Sequence, residues 1–158
     1  MTIITDEQVA YINDGGVIAY PTSTLPGLGC LPTKEGLDTL FELKSRSPDK
    51  PVSIGVASLD QVAHMVDIDP RIVEFVDAFP RGGLSVIYPA QQSLDARIGG
   101  QSVAIRVFDH PSARALALAV GPVTATSANE AGEEPANTVA EACLLYTSPS
   151  PRDLAVSR

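Results

Sequence analysis

Short apolar runs of strand character alternate with amphipathic helical segments along most of this chain, and the alternation limits the possible folds more than any other feature. The predicted strands are 17–20, 52–57, 84–88, 102–107 and 123–126. The predicted helices are 6–13, 34–44, 59–66, 70–78 and 111–120. Strands that alternate with helices are typical of an α/β layered fold rather than of a sandwich. No repeat or linker divides these elements, so one domain is expected.

Composition excludes some classes of protein. The formal net charge is −8, from 19 acidic and 11 basic residues, which argues against broad non-specific binding of nucleic acid through a basic face. Local positive charge is concentrated at Lys44, Arg46 and Lys50, with Lys34 nearby. No apolar run is long enough to span a bilayer, and the first residues lack the features of a secretion signal. The sequence therefore predicts a cytoplasmic protein without membrane contact.

Three polar motifs follow or flank apolar runs and make most sense as one site. They are Pro-Thr-Ser-Thr at 21–24, which runs into a predicted glycine turn at 27–29, Lys-Ser-Arg at 44–46 and Ser-Ala-Asn at 127–129. Two cations, several hydroxyls and a glycine turn suit an anionic small molecule, and a nucleoside triphosphate is the favoured candidate. These motifs predict an enzyme that acts by positioning and charge stabilisation rather than through a covalent nucleophile.

Each motif alone has a simpler interpretation. Lys44 and Arg46 could serve only the negative end of the helix dipole, since the predicted helix ends near residues 47–48. Thr22 and the 127–129 motif could serve only as turn-forming residues. The glycines form neither a dinucleotide-binding nor a Walker pattern. Cys30 and Cys143 lack metal-site spacing, so no protein metal site is predicted.

Arg106 lies inside an otherwise apolar predicted strand. A charge facing a core is costly, so this residue requires solvent or an anionic partner. A bound carboxylate and a structural pair with an Asp or Glu are equally acceptable from the sequence. Ser102, four residues earlier, lies on the same face of the strand.

Residues 143–158 predict no element of the fold. They resemble, residue for residue, the translation of a transposase-type sequencing adapter. We therefore expect one domain over 1–142, incomplete at its C-terminus, followed by a non-native tail over 143–158. A genuine flexible tail rich in Pro and Ser is the alternative.

Together, the motifs strongly resemble those of the YrdC/TsaC family of threonylcarbamoyl-AMP synthases. The corresponding segments are 20–29, the Lys-x-Arg at 44–46, the Ala-Ile-Arg-Val segment within 104–111, and Thr-Ser-Ala-Asn within 126–132. They keep the order and approximate spacing of the family from residue 15 to about residue 138. Ser23, Leu25 and Pro26 depart from the family pattern, in which an acidic residue, a valine and an aromatic residue are usual.

The resemblance implies an open twisted mixed sheet with flanking helices around a basic cavity. It also implies the synthesis of threonylcarbamoyl-AMP and pyrophosphate from L-threonine, bicarbonate and ATP, with Mg²⁺ present. The product would pass to partner proteins that modify tRNA, and weak contact with tRNA is possible. Two alternatives stay open: a non-catalytic module that binds nucleotide or RNA, and a related carbamoyl-transfer domain.

Residue roles come from the same resemblance. Lys44 and Arg46 would hold phosphates and offset the charge that develops during transfer. Thr22, Arg106 and Ser127 would bind threonine. The remaining nucleotide contacts would be made by Lys50, Ser102 and Asn129.

Overall fold

The computed structural model describes residues 4–80, 84–128 and 154–156. Four α-helices are present in this part of the chain: α1 Asp6–Asn13, α2 Lys34–Leu43, α3 Pro70–Asp77 and α4 Pro111–Val120. Single 3₁₀ turns occur at Leu59–Val62 and Ala96–Ile98. The strands are β1 Val17–Tyr20, β2 Gly27–Gly29, β3 Ser53–Val56, β4 Ser85–Pro89, β5 Ser102–Val107, β6 Val123–Ser127 and β7 Leu154–Val156.

The strands form one mixed sheet in the order β4-β5-β3-β6-β2-β1-β7. β3 is parallel to β5, and β1 is parallel to β7, whereas the other neighbouring pairs are antiparallel. This arrangement confirms the predicted α/β class with an open mixed sheet. The sites at its surface therefore depend on which face of each strand a side chain occupies.

Helices cover both faces of the sheet. Leu37 and Leu40 of α2 join the buried cluster on one face, here called the α2 face, with strand residues such as Ile54 and Ile105. Leu116 of α4 joins the cluster on the opposite face, the α4 face, with Phe108 among its members. Ile105 and Val107 of β5 lie on the α2 face. Because side chains alternate along a strand, Arg106 between them lies on the α4 face.

Local signals account for the helix starts. Thr5 and Gln8 form a reciprocal capping box at α1, and the Thr33 hydroxyl accepts from the Gly36 amide at α2. Asp69 caps α3 and is followed by Pro70 at the first helical position. These side chains satisfy amides that have no partner within the helix.

The predicted helix at 59–66 is largely wrong, because only Leu59–Val62 forms a 3₁₀ turn. Tertiary bonds compete with the helix here. The Gln61 side chain accepts from the Ala57 amide and donates to the Ala117 carbonyl, and Val66 bridges to Ala90. These tertiary contacts stabilise a compact turn in place of the predicted helix.

The predicted glycine turn at 27–29 is also wrong, because Gly27–Gly29 is strand β2, paired with both β1 and β6. Its glycines are required by the neighbouring Tyr20. A Cβ at either Gly27 or Gly29 would lie 2.8 Å from the Tyr20 ring. The glycines therefore provide space for a buried aromatic ring rather than a reversal of the chain.

Residues 154–156 pair with the β1 edge of the sheet, within the range predicted to be a non-native tail. An edge strand offers unpaired backbone groups that a short segment of varied sequence can match. This backbone pairing does not test the origin of the segment, which stays a prediction. Among the described helices, none is long and apolar enough to cross a membrane.

Candidate functional site

A pocket of about 230 Å³ opens where the end of β1, the 21–26 loop, β5 and β6 meet. It is lined by Tyr20, Thr22, Thr24, Leu25, Gly27, Arg106, Phe108, Ala125, Thr126 and Ser127. Three of these residues are the predicted threonine ligands Thr22, Arg106 and Ser127, which lie up to 105 positions apart in the chain. The fold therefore brings these three residues to one cavity.

Arg106 is the charged residue of this pocket. It is half-buried, and its Nε donates to the Ser85 hydroxyl on β4 at 3.2 Å. No carboxylate within the described residues forms an ion pair with it. Within the described residues, then, no structural ion pair accounts for this charge, and a bound carboxylate stays a prediction.

Two aromatic side chains form the apolar wall of the pocket. Tyr20 and Phe108 meet edge to face, with ring centroids 5.6 Å apart. The Phe108 ring lies over Gly55, where an added Cβ would come within 1.9 Å of it. The Tyr20 hydroxyl donates to the Thr124 carbonyl at 2.8 Å, and burial raises the pKa of this phenol, so the ring is neutral and fixed in orientation.

The 21–26 loop is organised by the hydroxyl of Thr22. This hydroxyl donates to the Leu25 carbonyl at 2.5 Å and accepts from the Thr24 amide at 3.1 Å. The Ala128 amide donates to the Pro26 carbonyl at 3.0 Å and ties the loop to the end of β6. The Thr22 hydroxyl also lies 3.3 Å from the Thr24 hydroxyl, so its proton and both lone pairs have partners within the loop. Thr22 thus does form the turn considered from the sequence, and it lines the pocket as well.

Lys44 connects the 44–46 motif to the pocket. The residue is 1% exposed, and its Nζ donates to the Ser127 carbonyl at 2.5 Å. Burial, helped by the nearby charge of Arg46, lowers the pKa of Lys44 to about 8. Burying a charged amine at the wall of a pocket costs more desolvation free energy than placing a lysine on the surface at a helix end. This cost favours a role for Lys44 in ligand binding over the helix-dipole interpretation.

The spacing of the Lys-Ser-Arg motif matches the end of α2. The helix ends at Leu43, within one residue of the predicted 34–44 range and before residues 47–48, where its end was also expected. Ser45 has a left-handed φ of 49°. The Ser45 amide donates to the Glu42 carbonyl, and the Arg46 amide donates to the Phe41 carbonyl. This is a Schellman motif, so Arg46 lies beyond the helix and not on its last turn.

The Arg46 side chain stabilises its own loop. Its Nε donates to the Lys50 carbonyl at 2.7 Å, and Nη2 donates to the Pro51 carbonyl at 3.0 Å. The guanidinium is therefore held beside the exposed Lys50. These bonds give the loop a defined shape before any ligand arrives.

The other predicted nucleotide ligands are not brought into the pocket. Ser102 is exposed at the start of β5, and Lys50 is exposed in the loop. Lys44 and Arg46 are also outside the pocket lining, although Lys44 reaches its wall through Ser127. Asn129 lies outside the described residues.

Sequence reasoning did not identify Tyr20 and Phe108 as parts of the site. The available signal was the pair of glycines at 27 and 29, because alternate glycines in a strand leave space for a large side chain from a neighbour. Which side chain fills that space depends on strand pairing, which cannot be read from the sequence.

A second cavity, of about 420 Å³, lies between α3 and the α2 face of the sheet. Most of its lining residues are apolar, and its one charged member is Asp77. A carboxylate among aliphatic side chains does not suit a phosphate or an amino acid carboxylate. The Arg106 pocket is therefore the better candidate for an anionic substrate.

Comparisons with known proteins identify the family of the chain. The sequence profile of the Sua5/YciO/YrdC family, which carries the description "Telomere recombination", matches residues 10–146. A threonylcarbamoyl-AMP synthase from Marinobacter nauticus is 39% identical over 131 residues, which is 79% of this chain and 69% of that protein. The protein of the same name from Xanthomonas euvesicatoria is 37% identical over 156 residues, covering 92% of this chain and 83% of its own.

Solved structures show the same architecture. P. abyssi Sua5 in complex with L-threonine superposes with a TM-score of 0.79 at 26% identity, covering 98% of this chain and 48% of that one. The MTH1692 protein from Methanobacterium thermoautotrophicum superposes with a TM-score of 0.75 at 30% identity, covering 99% and 76% of the two chains. On the family profile and these identities, the chain belongs to the Sua5/YciO/YrdC family.

Proposed function

We propose that this protein is an L-threonylcarbamoyladenylate synthase, which makes threonylcarbamoyl-AMP and pyrophosphate from L-threonine, bicarbonate and ATP. The observation that carries the proposal is the pocket that joins Thr22, Arg106 and Ser127, with buried Lys44 bonded to the carbonyl of Ser127. The names of the relatives support it, as does the threonine complex of a structural neighbour.

In the threonine subsite, Arg106 would bind the substrate carboxylate, because it is the charged member of the pocket and lacks a described acidic partner. Thr22 and Ser127 would help to seat the rest of the substrate, Thr22 by exchanging one of its bonds within the loop for a bond to the ligand. The wall formed by Tyr20 and Phe108 would face the substrate methyl group. This distribution matches an amino acid that has one charged end and one apolar branch.

The reaction would proceed in two steps. The threonine amine attacks the carbon of bicarbonate, a nitrogen–carbon bond forms, and water leaves to give the carbamate. A carbamate oxygen then attacks the α-phosphorus of ATP, the bond between the α-phosphorus and the bridging oxygen breaks, and pyrophosphate leaves. Positioning and charge stabilisation are sufficient for such a transfer.

The nucleotide subsite would use residues 44–50 of the loop that connects α2 to β3, here called the 44–52 loop. Lys44 and Arg46 would hold the phosphates and offset charge in the transition state, and Lys50, Ser102 and Asn129 would make further contacts with ATP. Mg²⁺ would arrive bound to the phosphates of ATP. No carboxylate lines the pocket, and no cluster of acidic, His or Cys residues suited to a metal occurs within the described residues. Transfer to tRNA-modifying proteins, weak contact with tRNA and a cytoplasmic location stay predictions.

The direct test measures pyrophosphate release from ATP by the purified protein. Release is expected only when L-threonine and bicarbonate are both present, with threonylcarbamoyl-AMP detected by mass spectrometry in the same samples. Turnover without threonine would contradict the assignment. Binding of ATP without any turnover would indicate instead a non-catalytic nucleotide-binding module.

A further inference from the structure

Arg97 occupies an unusual position for a charged residue outside the pocket. It lies in the 3₁₀ turn Ala96–Ile98, and its side chain is 16% exposed. Its guanidinium bonds to two carboxylates, through Nη1 to Asp38 at 2.6 Å and through Nη2 to Asp95 at 2.9 Å. It also lies over the ring of Phe41, 5.8 Å from the centroid.

These contacts join Arg97 to α2, the helix that ends at Lys44. Asp38 lies in the middle of that helix, and Phe41 lies in its last turn. Phe41 is also the residue whose carbonyl accepts from the Arg46 amide in the Schellman motif. Arg97 is thus fixed against the start of the 44–52 loop.

The same residue also holds the far end of the loop. The Val52 amide donates to the Arg97 carbonyl at 2.8 Å. Between these two points, Arg46 bonds to the Lys50 and Pro51 carbonyls. The loop is therefore tied at its start, its middle and its end, and Arg97 provides two of the three attachments.

This arrangement differs from an ordinary surface ion pair. Exposed pairs contribute little because water screens them and two long side chains must be ordered. Here the two carboxylate side chains are partly exposed, but the Arg97 side chain is mostly buried, contacts both of them at once and lies over a ring that is 6% exposed. Its hydrogen bond holds the pKa of the Asp95 carboxyl below the usual range.

We propose that Arg97 is a positioning residue for the phosphate-binding loop: it holds α2 and Val52 together, so that Lys44 and Arg46 are presented to ATP in one fixed arrangement. The inference rests on the proposed function, in which residues 44–50 of the 44–52 loop bind the nucleotide. It predicts that loss of Arg97 weakens nucleotide binding selectively, because the Arg106 pocket is formed by other elements.

The test uses Arg97→Gln, which removes the guanidinium contacts with Asp38, Asp95 and Phe41, keeps the backbone carbonyl that bonds to Val52, and so frees the 96–98 turn to move away from α2. The milder Asp38→Asn removes only the charge of one partner. Arg97→Gln should raise the KM for ATP about tenfold and leave the threonine dissociation constant within about twofold of wild type. Asp38→Asn should give a smaller effect of the same kind, and Arg97→Lys should recover part of the loss. Lys34→Gln is the matched control, since it removes the exposed partner of Asp38 at 2.9 Å and leaves Arg97 in place.

Hydrogen exchange reports on the loop independently of activity. In Arg97→Gln, the amides of Lys50 and Val52 should exchange at least about tenfold faster, whereas Thr124 in the sheet should be unchanged. Unchanged exchange at Lys50 and Val52 would overturn the proposal. If Lys44→Met abolishes nucleotide binding, faster exchange in Arg97→Gln with a normal KM for ATP would overturn the proposal as well. If Lys44→Met binds ATP normally, the nucleotide site itself is misassigned, and the proposed function fails at that point.

Discussion

The two halves of the candidate site are stabilised in different ways. The Arg106 pocket depends on contacts between residues far apart in sequence, such as the bond from Tyr20 to the Thr124 carbonyl and that from Lys44 to the Ser127 carbonyl. The 44–52 loop lies nearer the surface and combines local bonds, those of Arg46 to the Lys50 and Pro51 carbonyls, with the contacts that Arg97 makes to α2 and to Val52. Lys44 belongs to both halves.

This difference has a consequence for substrate recognition. A pocket formed by buried long-range contacts is rigid and selects by shape, which suits discrimination of one amino acid. A loop with local bonds near the surface suits a flexible, highly charged ligand whose binding is dominated by electrostatics. Substitutions in the two halves should therefore give separable effects on the two substrates.

The largest effect is expected from Lys44→Met, because Lys44 is shared by both halves. It removes the buried cation and the donor to the Ser127 carbonyl, so the rate of pyrophosphate release should fall about a thousandfold. Circular dichroism should show a retained fold, since methionine has similar length. An active Lys44→Met variant would remove the link between the two halves.

Arg106→Gln should affect the threonine half alone. Losing the charge-assisted contact with the carboxylate should weaken threonine binding about a hundredfold, measured by calorimetry. The dissociation constant of a non-hydrolysable ATP analogue should remain unchanged. Arg71→Gln is the matched arginine control, because Arg71 on α3 is exposed, pairs with Asp69 and is not among the lining residues of the pocket.

A comparable weakening of the ATP analogue by Arg106→Gln would contradict the separation of the two halves. Wild-type threonine affinity in this variant would reject the role of Arg106 as the carboxylate ligand.

The pH dependence should report on Lys44. Its pKa is lowered from 10.5 to about 8, so the amine is charged below pH 8 and neutral above it. Since the charged form binds phosphates, kcat/KM for ATP should fall about tenfold per pH unit above about pH 8. Lys44→Arg should shift this decline to higher pH, and an unchanged profile in that variant would assign the decline to another group.

The smallest effect is expected from Tyr20→Phe, which keeps the ring and removes one hydrogen bond. The buried Thr124 carbonyl loses its donor, so the free energy of unfolding should fall by about 1–2 kcal/mol in urea denaturation. Threonine affinity should fall only a few-fold. Tyr88→Phe on the α2 face is the control, because no described residue accepts a hydrogen bond from Tyr88.

If Tyr88→Phe destabilises the protein as much as Tyr20→Phe, the bond to Thr124 has no special part in the pocket wall. If Tyr20→Phe leaves the free energy of unfolding unchanged, that wall is held by packing alone.

The success of sequence analysis varied with the range of the interactions. Helices α1, α3 and α4 were predicted closely, because caps and prolines mark their ends locally. The segment 59–66 failed, since the Gln61 side chain reaches residues 57 and 117. The prediction for 27–29 failed for a related reason, because its glycines leave space for the Tyr20 ring on the neighbouring strand.

The sequence by itself determined the α/β class, the bounds of α1, α3 and α4 and the chemical character of the motifs, because capping residues, spacing and side-chain type express these directly. Only the tertiary structure decided that Thr22, Arg106 and Ser127 share one pocket and that Lys44 is buried against it. It also decided that Arg97 ties the phosphate loop to α2. These arrangements depend on the register and order of strands, which arise from packing of the whole chain rather than from any local pattern.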